Sequence, residues 1–548
     1  MHRITCFLVA LLAANNLLIA QEQQGTPLGL SHKGTATQWT FSWFTDTTVA
    51  DGNVEVEALK KPFDSFHGQA TSKQVKARDG KSYYSHVAAV KGLKPSSKYR
   101  FRVGRESHWS QWAEFSIPSP AEVFAPTPVP DRIALSWTQN PATSFAVTWR
   151  TDTTVTEGMA QIAIATDAPE YKEGWHFPDT RETKANLETQ SLNGVSSHHF
   201  SVTFEGLTPK AMYAYRVGDG RRWSEWFHYT TASTEPEPFS FIYFGDAQND
   251  VKSFWSRTIR QAFIDDPKAK FIIHAGDLIN IPEADNEWGE WFYAGSFIHA
   301  MIPMVATPGN HEYTIGPEGK AIVDRLWTKQ FTFPQNGPEG PNLSETAYYL
   351  DYQGVRVISL NSMEIENRDT TRYKIQLEWL EKVLSDNPNN WTVLTFHFPV
   401  YGAARSDSGP LKKHFKPLFD KYGVDLVLQG HDHVYGRGMP KNQSTGRTKR
   451  PDNTGPVYVV SVSGPKMYTF KQEKEWIDRS AEGLQLYQIL HVDEDKIRYE
   501  AYTTTGKLYD AFDLIKRGNG KPNKLVDRKP DTADHRFPRK EKESEGTH

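Results

Sequence analysis

The chain is 548 residues long with a formal net charge of -3 and a sequence pI near 6.7, a length that supports three or four domains, each large enough for its own core. The near-neutral balance offers no basic footprint for nucleic acid, which puts nucleases low among the candidate activities. Its one cysteine is Cys6, so a chain processed beyond that point holds no disulfide.

Residues 1–20 have a basic start at Arg3 and apolar runs through Leu8 to Leu12 and Leu17 to Ile19, interrupted by Asn15 and Asn16. This is the pattern of a secretory signal peptide, not of a membrane span. Export without disulfides points to a bacterial periplasmic or secreted protein with no transmembrane segment. Next in the chain comes an internal repeat. Thr45-Asp-Thr-Thr-Val49 recurs as Thr151-Asp-Thr-Thr-Val155, and Gly92-Leu-Lys-Pro95 as Gly206-Leu-Thr-Pro209. Each copy then runs to Arg-Val-Gly, at Arg102 to Gly104 and Arg216 to Gly218, and to Trp-Ser-x-Trp, at Trp109 to Trp112 and Trp223 to Trp226. Period-two runs such as Phe41-Ser-Trp43 and Phe145 to Trp149 predict two β-sandwiches, over residues 21–125 and 126–236. The paired tryptophans are expected in the inter-sheet cores; the alternative is a surface for a glycan or protein partner. Pro-rich stretches at Pro118 to Pro130 and Thr234 to Pro238 mark linkers.

The third region, 237–516, is built from apolar runs that read as buried strands: Phe239 to Phe244, Lys270 to His274, Ile302 to Ala306, Trp391 to Phe396 and Val424 to Leu428. A helical pattern over Thr371 to Leu384 lies among them, and together they predict an α/β sandwich. At or just past the carboxyl ends of the strands stand Gly245-Asp246-Ala247-Gln248, Gly276-Asp277-Leu278-Ile279-Asn280, Gly309-Asn310-His311-Glu312, His397, and Gly430-His431-Asp432-His433. Strand ends converge there while loops vary freely, which is where open α/β sheets place their sites. His274 and His299 lie in apolar surroundings and read as core. Residues 517–548 are charged and nearly devoid of apolar side chains, and predict a disordered or interaction tail.

These residue types fit one chemistry. Hydrolysing a phosphate ester at neutral pH calls for a hydroxide and for neutralisation of the phosphoryl oxygens, and two cations held about 4 Å apart supply both. Oxygen ligands and imidazoles suit Mn, Zn or Fe better than thiolates would. Asp277 is the candidate bridging carboxylate, with Asp246 and His433 on the first metal and Asn310, His397 and His431 on the second.

The segments resemble the calcineurin-like metallophosphoesterases, and in particular their purple acid phosphatase branch. The repeated modules are similar to fibronectin type III domains, and the second copy to the N-terminal domain of purple acid phosphatases. The resemblance implies a sandwich of two β-sheets flanked by helices and the metal ligands Asp246, Asp277, Asn310, His397, His431 and His433. It also implies that His311 contacts the phosphate or protonates the leaving group, with Glu312 orienting it. Two departures stand out. Where the purple enzymes carry a tyrosinate ligand this chain has Asn280, and where the wider superfamily has a ligand histidine it has Gln248. Gln248 and Asn280 could each lend the first metal an amide oxygen.

The sequence thus predicts a secreted, metal-dependent phosphatase that hydrolyses phosphomonoesters through metal-bound hydroxide. Tyr401, Arg405, Tyr435 and Arg437 lie just past ligand-bearing strands and could reach the phosphate, or could pack the loops. Two further readings are a phosphodiesterase acting on phospholipid headgroups or nucleotides, and a non-catalytic binding protein that uses its sandwich modules.

Overall fold

The computed structural model describes residues 28–538 apart from 35–37, 60–64, 77–79, 94–96, 107, 118–123, 172–173, 317–318, 368–369, 441–454, 471–474 and 518–520. The expected signal peptide and the last ten residues lie outside that set. The chain divides into two compact units, one of residues up to Ala125 with Ala284–Asn286, the other of the remainder. Among the described residues no helix is long and apolar enough to cross a membrane.

In the first unit two antiparallel sheets face each other. One orders Leu28–Gly34, Gln38–Thr45, Ser82–Lys91 and Thr71–Lys76; the other is centred on Asn53–Ala58 and Ser97–Arg105. Alternation sends Phe41, Trp43, Val54, Val56, Phe101 and Val103 inward, all essentially inaccessible. The second module repeats the plan with the sheets Asp131–Ser136, Phe145–Thr151, Val195–Phe204, Asn186–Leu192 and Arg181–Lys184, Met159–Ile164, Met212–Gly218, Phe227–Thr230.

The Trp-Ser-x-Trp pairs are not in these cores, contrary to expectation. Trp109, Trp112, Trp223 and Trp226 are half-buried outside them and stack on arginines. Arg102 lies 4.6 Å from the Trp109 ring and 4.8 Å from that of Trp112, and Arg216 lies 4.6 Å from both Trp223 and Trp226. A guanidinium over an indole face contributes about 0.5–1 kcal/mol at such sites. That attraction lets the large rings cover polar strand faces.

Phe145–Thr151 is buried at every position because the second module packs against the third region. Trp137 meets Phe271 and Tyr352 at ring separations of 5.9 and 5.5 Å, and Thr148 Oγ1 donates to the Gln330 carbonyl at 2.7 Å. One apolar cluster runs through both regions.

In the third region, two seven-stranded sheets form a sandwich. The first orders Met304–Ala306, Ile272–His274, Phe239–Phe244, Leu486–Val492, Lys496–Thr503, Leu508–Ile515 and Lys524–Asp527. The second orders Tyr348–Tyr352, Val355–Ser359, Trp391–Phe396, Leu426–Gln429, Val457–Val460, Tyr435–Gly438 and Ile477–Ala481. The first three strands of one sheet and four central strands of the other run parallel, so their carboxyl ends gather on one side.

Where it is described, the tail departs from expectation. Lys524–Asp527 adds an antiparallel edge strand to Leu508–Ile515, and His535 bridges Ala481. Main-chain hydrogen bonds and the buried Arg479, which donates to the Thr532 carbonyl and Asp534, hold a segment whose composition alone predicts disorder. An edge strand draws its binding energy from backbone pairing and needs few apolar side chains.

Candidate metal centre

Five loops deliver the predicted ligands to one place. Asp246 stands two residues after Phe239–Phe244, Asp277 three after Ile272–His274, and Asn310 in the short 3-10 turn Asn310–Glu312 beyond Met304–Ala306. The second sheet supplies His397 directly after Trp391–Phe396, and His431 and His433 after Leu426–Gln429. The glycines in front of the ligands are there for close approach: a Cβ on Gly309 would fall 2.1 Å from Asp277 Oδ1, and one on Gly430 would fall 2.3 Å from Asp246 Oδ1. Asp277 and His431 themselves have left-handed backbones, with φ of 53° and 71°. Such conformations cost about 1–3 kcal/mol each and are kept only where neighbours impose them. Here the His431 N–H donates to Asp246 Oδ1 at 2.7 Å.

The candidate ligands form two groups that share Asp277: Asp246, Asp277 and His433, and Asp277, His397 and His431. In each, the candidate ligand atoms lie within 4.8 Å of one another. In the second group Asn310 Oδ1 is 3.1 Å from His397 Nε2 and 3.0 Å from His431 Nδ1. His433 Nδ1 faces the Lys466 carbonyl at 2.9 Å and His397 Nδ1 that of Ala275 at 2.9 Å. Each ring therefore turns Nε2 inward, 3.1 Å from Asp246 Oδ2 and 3.1 Å from Asp277 Oδ2 respectively, with tautomers set by the outer hydrogen bond as in metal-binding histidines. Asp246 Oδ2 is buried, and in the tautomer that donates Nδ1–H to the Lys466 carbonyl the facing His433 Nε2 has no proton to give it, which is costly unless a cation meets it.

The electrostatics agree. Burial alone would lower the His397 imidazole, but Asp277 and Asp246 push it up to about 9. Burial would raise Asp277, yet the charges of His397 and His311 hold it well below the usual carboxylate range. Two buried carboxylates converging on one point demand positive charge. The donor set fits two oxygen- and nitrogen-seeking cations.

The other predicted residues divide. His311 lies at the rim, its Nδ1 2.5 Å from the Asn280 carbonyl and its Nε2 4.0 Å from Asp277 Oδ2; burial lowers its pKa, with Asp277 opposing. Glu312 is not beside that ring. Fully buried, it accepts four main-chain N–H groups, from Asp277 (2.8 Å), Leu278 (2.7 Å), Ile279 (3.2 Å) and Gly309 (2.7 Å), and so splices two ligand loops together. Gln248 is at the centre, 1% exposed. Asn280 uses its main chain, its N–H donating to Glu287 and its carbonyl meeting His311.

Three of the four proposed phosphate contacts are structural. Tyr401 is buried against Tyr458 and Trp476. Tyr435 donates to Asp510 Oδ2 at 2.7 Å, and Arg437 forms a buried bidentate pair with the same carboxylate at 2.9 and 2.6 Å. Both point between the sheets, because alternation along Tyr435–Gly438 turns them from the loop side into the interior. Arg405 alone stays at the site, 3.1 Å from His431 Nε2 and stacked 4.4 Å over the Tyr468 ring.

Sequence reasoning missed Asp432, Lys466 and Tyr468. Asp432 Oδ2 accepts the N–H groups of Ala403, Ala404 and Arg405 and shapes the loop that carries Arg405. Lys466 and Tyr468 come after Val457–Val460, an apolar run whose carboxyl end joins the others; reading it as a strand would have pointed to them. Tyr468 rests 4.6 Å from the His433 ring, but its hydroxyl is engaged by Arg405.

The chain is similar to known proteins in each of its regions. Residues 240–435 match the calcineurin-like phosphoesterase family model, and residues 27–117 and 130–231 match that of the purple acid phosphatase N-terminal domain. An uncharacterized protein of Mycobacterium tuberculosis is 26% identical over 363 residues, spanning 60% of this chain and 66% of the relative. A purple acid phosphatase of Glycine max is 26% identical over 296 residues, 50% of this chain and 61% of that protein. The chain thus spans somewhat less than two thirds of these relatives. Among solved structures, the purple acid phosphatase PPD1 from yellow lupin seeds superposes with a TM-score of 0.57 at 16% identity, covering 89% of this chain and 94% of that one. PhoD superposes at 0.55 and 13% identity, covering 75% and 94%. At such identities both speak to the fold alone.

Proposed function

We propose that this chain, which carries a calcineurin-like phosphoesterase domain and the N-terminal domain of purple acid phosphatases, is a metal-dependent phosphoester hydrolase that acts on phosphomonoesters at a dinuclear metal centre. Asp246, Asp277 and His433 would hold the first cation, and Asp277, Asn310, His397 and His431 the second. The observation that carries the reading is the pair of His/carboxylate groups sharing the buried Asp277. When bound, such a pair of cations supplies an activated water and neutralises charge on the phosphoryl oxygens.

The chain's own residues do the rest. His311, its Nδ1–H donating to the Asn280 carbonyl, would give the leaving group a proton from Nε2 in its imidazolium form, which a bound phosphate dianion favours against the effect of burial. Glu312 holds the Asp277 and Asn310 loops in register and touches no substrate. Arg405 and Lys466 set two positive charges beside the centre, burial lowering the Lys466 pKa while Asp277 and Asp246 oppose it; a phosphomonoester dianion draws more from them than a diester monoanion. We place the protein outside the cytoplasm, on the signal-peptide pattern of residues 1–20, and read its two sandwich modules as fibronectin type III-like.

The test is an assay of the full chain loaded in parallel with Mn, Zn or Fe, on a chromogenic phosphomonoester and its matched diester. Monoester turnover with one metal preferred is the expected result. Diester turnover alone would move the substrate to phospholipid headgroups or nucleotides, and metal-loaded protein inert on both would favour a binding role.

A further inference from the structure

We infer that Gln248 completes the first metal's shell through its side-chain oxygen. The inference rests on the metal centre proposed above and decides between the two amides that the sequence leaves open.

Gln248 is 1% exposed and its main chain is pinned, because the N–H groups of Ala247 and Gln248 both donate to the Asp277 carbonyl, at 3.1 and 3.0 Å. Its side chain therefore has one destination. Nε2 lies 2.9 Å from Asp277 Oδ2 and 3.1 Å from His433 Nε2, the inward-facing atoms of two of the three first-group ligands. Oε1 is buried with no hydrogen-bond partner.

A buried amide oxygen left unpaired costs free energy, and a half-turn about Cγ–Cδ exchanges the oxygen and nitrogen of a terminal amide with almost no change of shape. After that turn Oε1 occupies the point between Asp277 and His433, where a cation would meet it. With NH₂ inward, the amide satisfies the same two acceptors in place of a cation. Asn280 has neither property: it is partly exposed, and its hydrogen bonds to Glu287 and His311 run through its main chain.

A neutral oxygen in place of a phenolate leaves the first group one negative charge short of the tyrosinate-bearing arrangement. That favours divalent Mn, Zn or ferrous iron over ferric iron.

The experiment is a chelator-competition titration of the full chain with Zn²⁺ and Mn²⁺, read as stoichiometry and affinity, with turnover left aside. Wild type should take up two equivalents. Gln248→Ala should keep one site at wild-type affinity and weaken the other by at least about tenfold; Gln248→Glu, nearly identical in shape, should restore or tighten it. Asn280→Ala should leave both sites unchanged. Gln248→Ala binding two equivalents with unaltered or tighter affinity, or Asn280→Ala losing a site, would overturn the inference while leaving the metal centre intact. A wild-type chain that takes up no metal would remove the metal centre and this inference with it. Thermal melting of each variant separates misfolding from ligand loss, and Gln248→Glu carries the test if Gln248→Ala fails to fold.

Discussion

Glu312 Oε2 accepts the main-chain N–H of Asp277 at 2.8 Å and that of Gly309 at 2.7 Å, so one buried oxygen ties the loop of the shared carboxylate to the loop of Asn310. The register of the two candidate ligand groups depends on this splice together with contacts such as that of the His431 N–H with Asp246 Oδ1.

Replacing Glu312 by Ala strands four buried N–H donors, each worth about 1–3 kcal/mol when left unsatisfied, partly relieved by entering water. A loss of about 3 kcal/mol or more in denaturant unfolding is expected, together with loss of bound metal. A Glu312→Ala protein with wild-type stability and full metal content but no turnover would instead make Glu312 catalytic.

Gly309→Ala drives a methyl into Asp277 Oδ1. The fold should survive with a penalty of about 1–3 kcal/mol, while metal stoichiometry and activity fall, because the group displaced is shared by both cations. Metal analysis of the purified variant decides it; two tightly bound equivalents would contradict the geometry.

Arg437 and Asp510 are a buried, bidentate pair between the sheets. Arg437→Ala should destabilise the protein by about 3–5 kcal/mol by leaving a buried carboxylate unpaired, with KM for a phosphomonoester unchanged in the folded fraction. Arg405→Ala should do the reverse: near-native melting, and a drop of about 10- to 100-fold in kcat/KM as a charge-assisted contact to the phosphate is lost. Exchange of these two phenotypes would return Arg437 to the substrate site.

His274 is pushed down to about 3 by burial, and His299 well below its ordinary 6.5 by burial and then by His274. Both rings sit among Trp255 and Trp291. Below about pH 6.5 the unfolded chain binds protons that the folded chain refuses, so this contribution to stability is lost as pH falls. For His274 the loss reaches about 2 kcal/mol at pH 5. Glu287 and Glu345, both raised to about 7 by burial, act in the opposite sense, since the folded state binds their protons first and gains stability as pH drops through 7. The measure is therefore a difference: His274→Phe should lose about 2 kcal/mol less than wild type between about pH 7.5 and pH 5 in chemical denaturation. Identical slopes would show that the imidazole takes up its proton in the fold.

What the sequence could say, it said through local pattern. Apolar runs ending in Gly-Asp, Gly-Asn-His or Gly-His-Asp-His give strand, turn and ligand type within a dozen residues, and a strand's direction then dictates which end carries the loop. The roles of Glu312, Tyr435 and Arg437 were beyond it, because each is decided by partners far along the chain: Glu312 by N–H groups about 35 residues earlier, Arg437 by a carboxylate 73 residues later.

The same division separates the modules from the centre. The repeat and its period-two alternation determine two β-sandwiches, since side-chain direction along a strand is set by backbone geometry alone. Whether the Trp-Ser-x-Trp rings face inward or lie against Arg102 and Arg216, and whether Gln248 or Asn280 faces the ligands, was decided by tertiary structure. Both outcomes depend on how sheets assembled from distant strands set their faces and loops against one another.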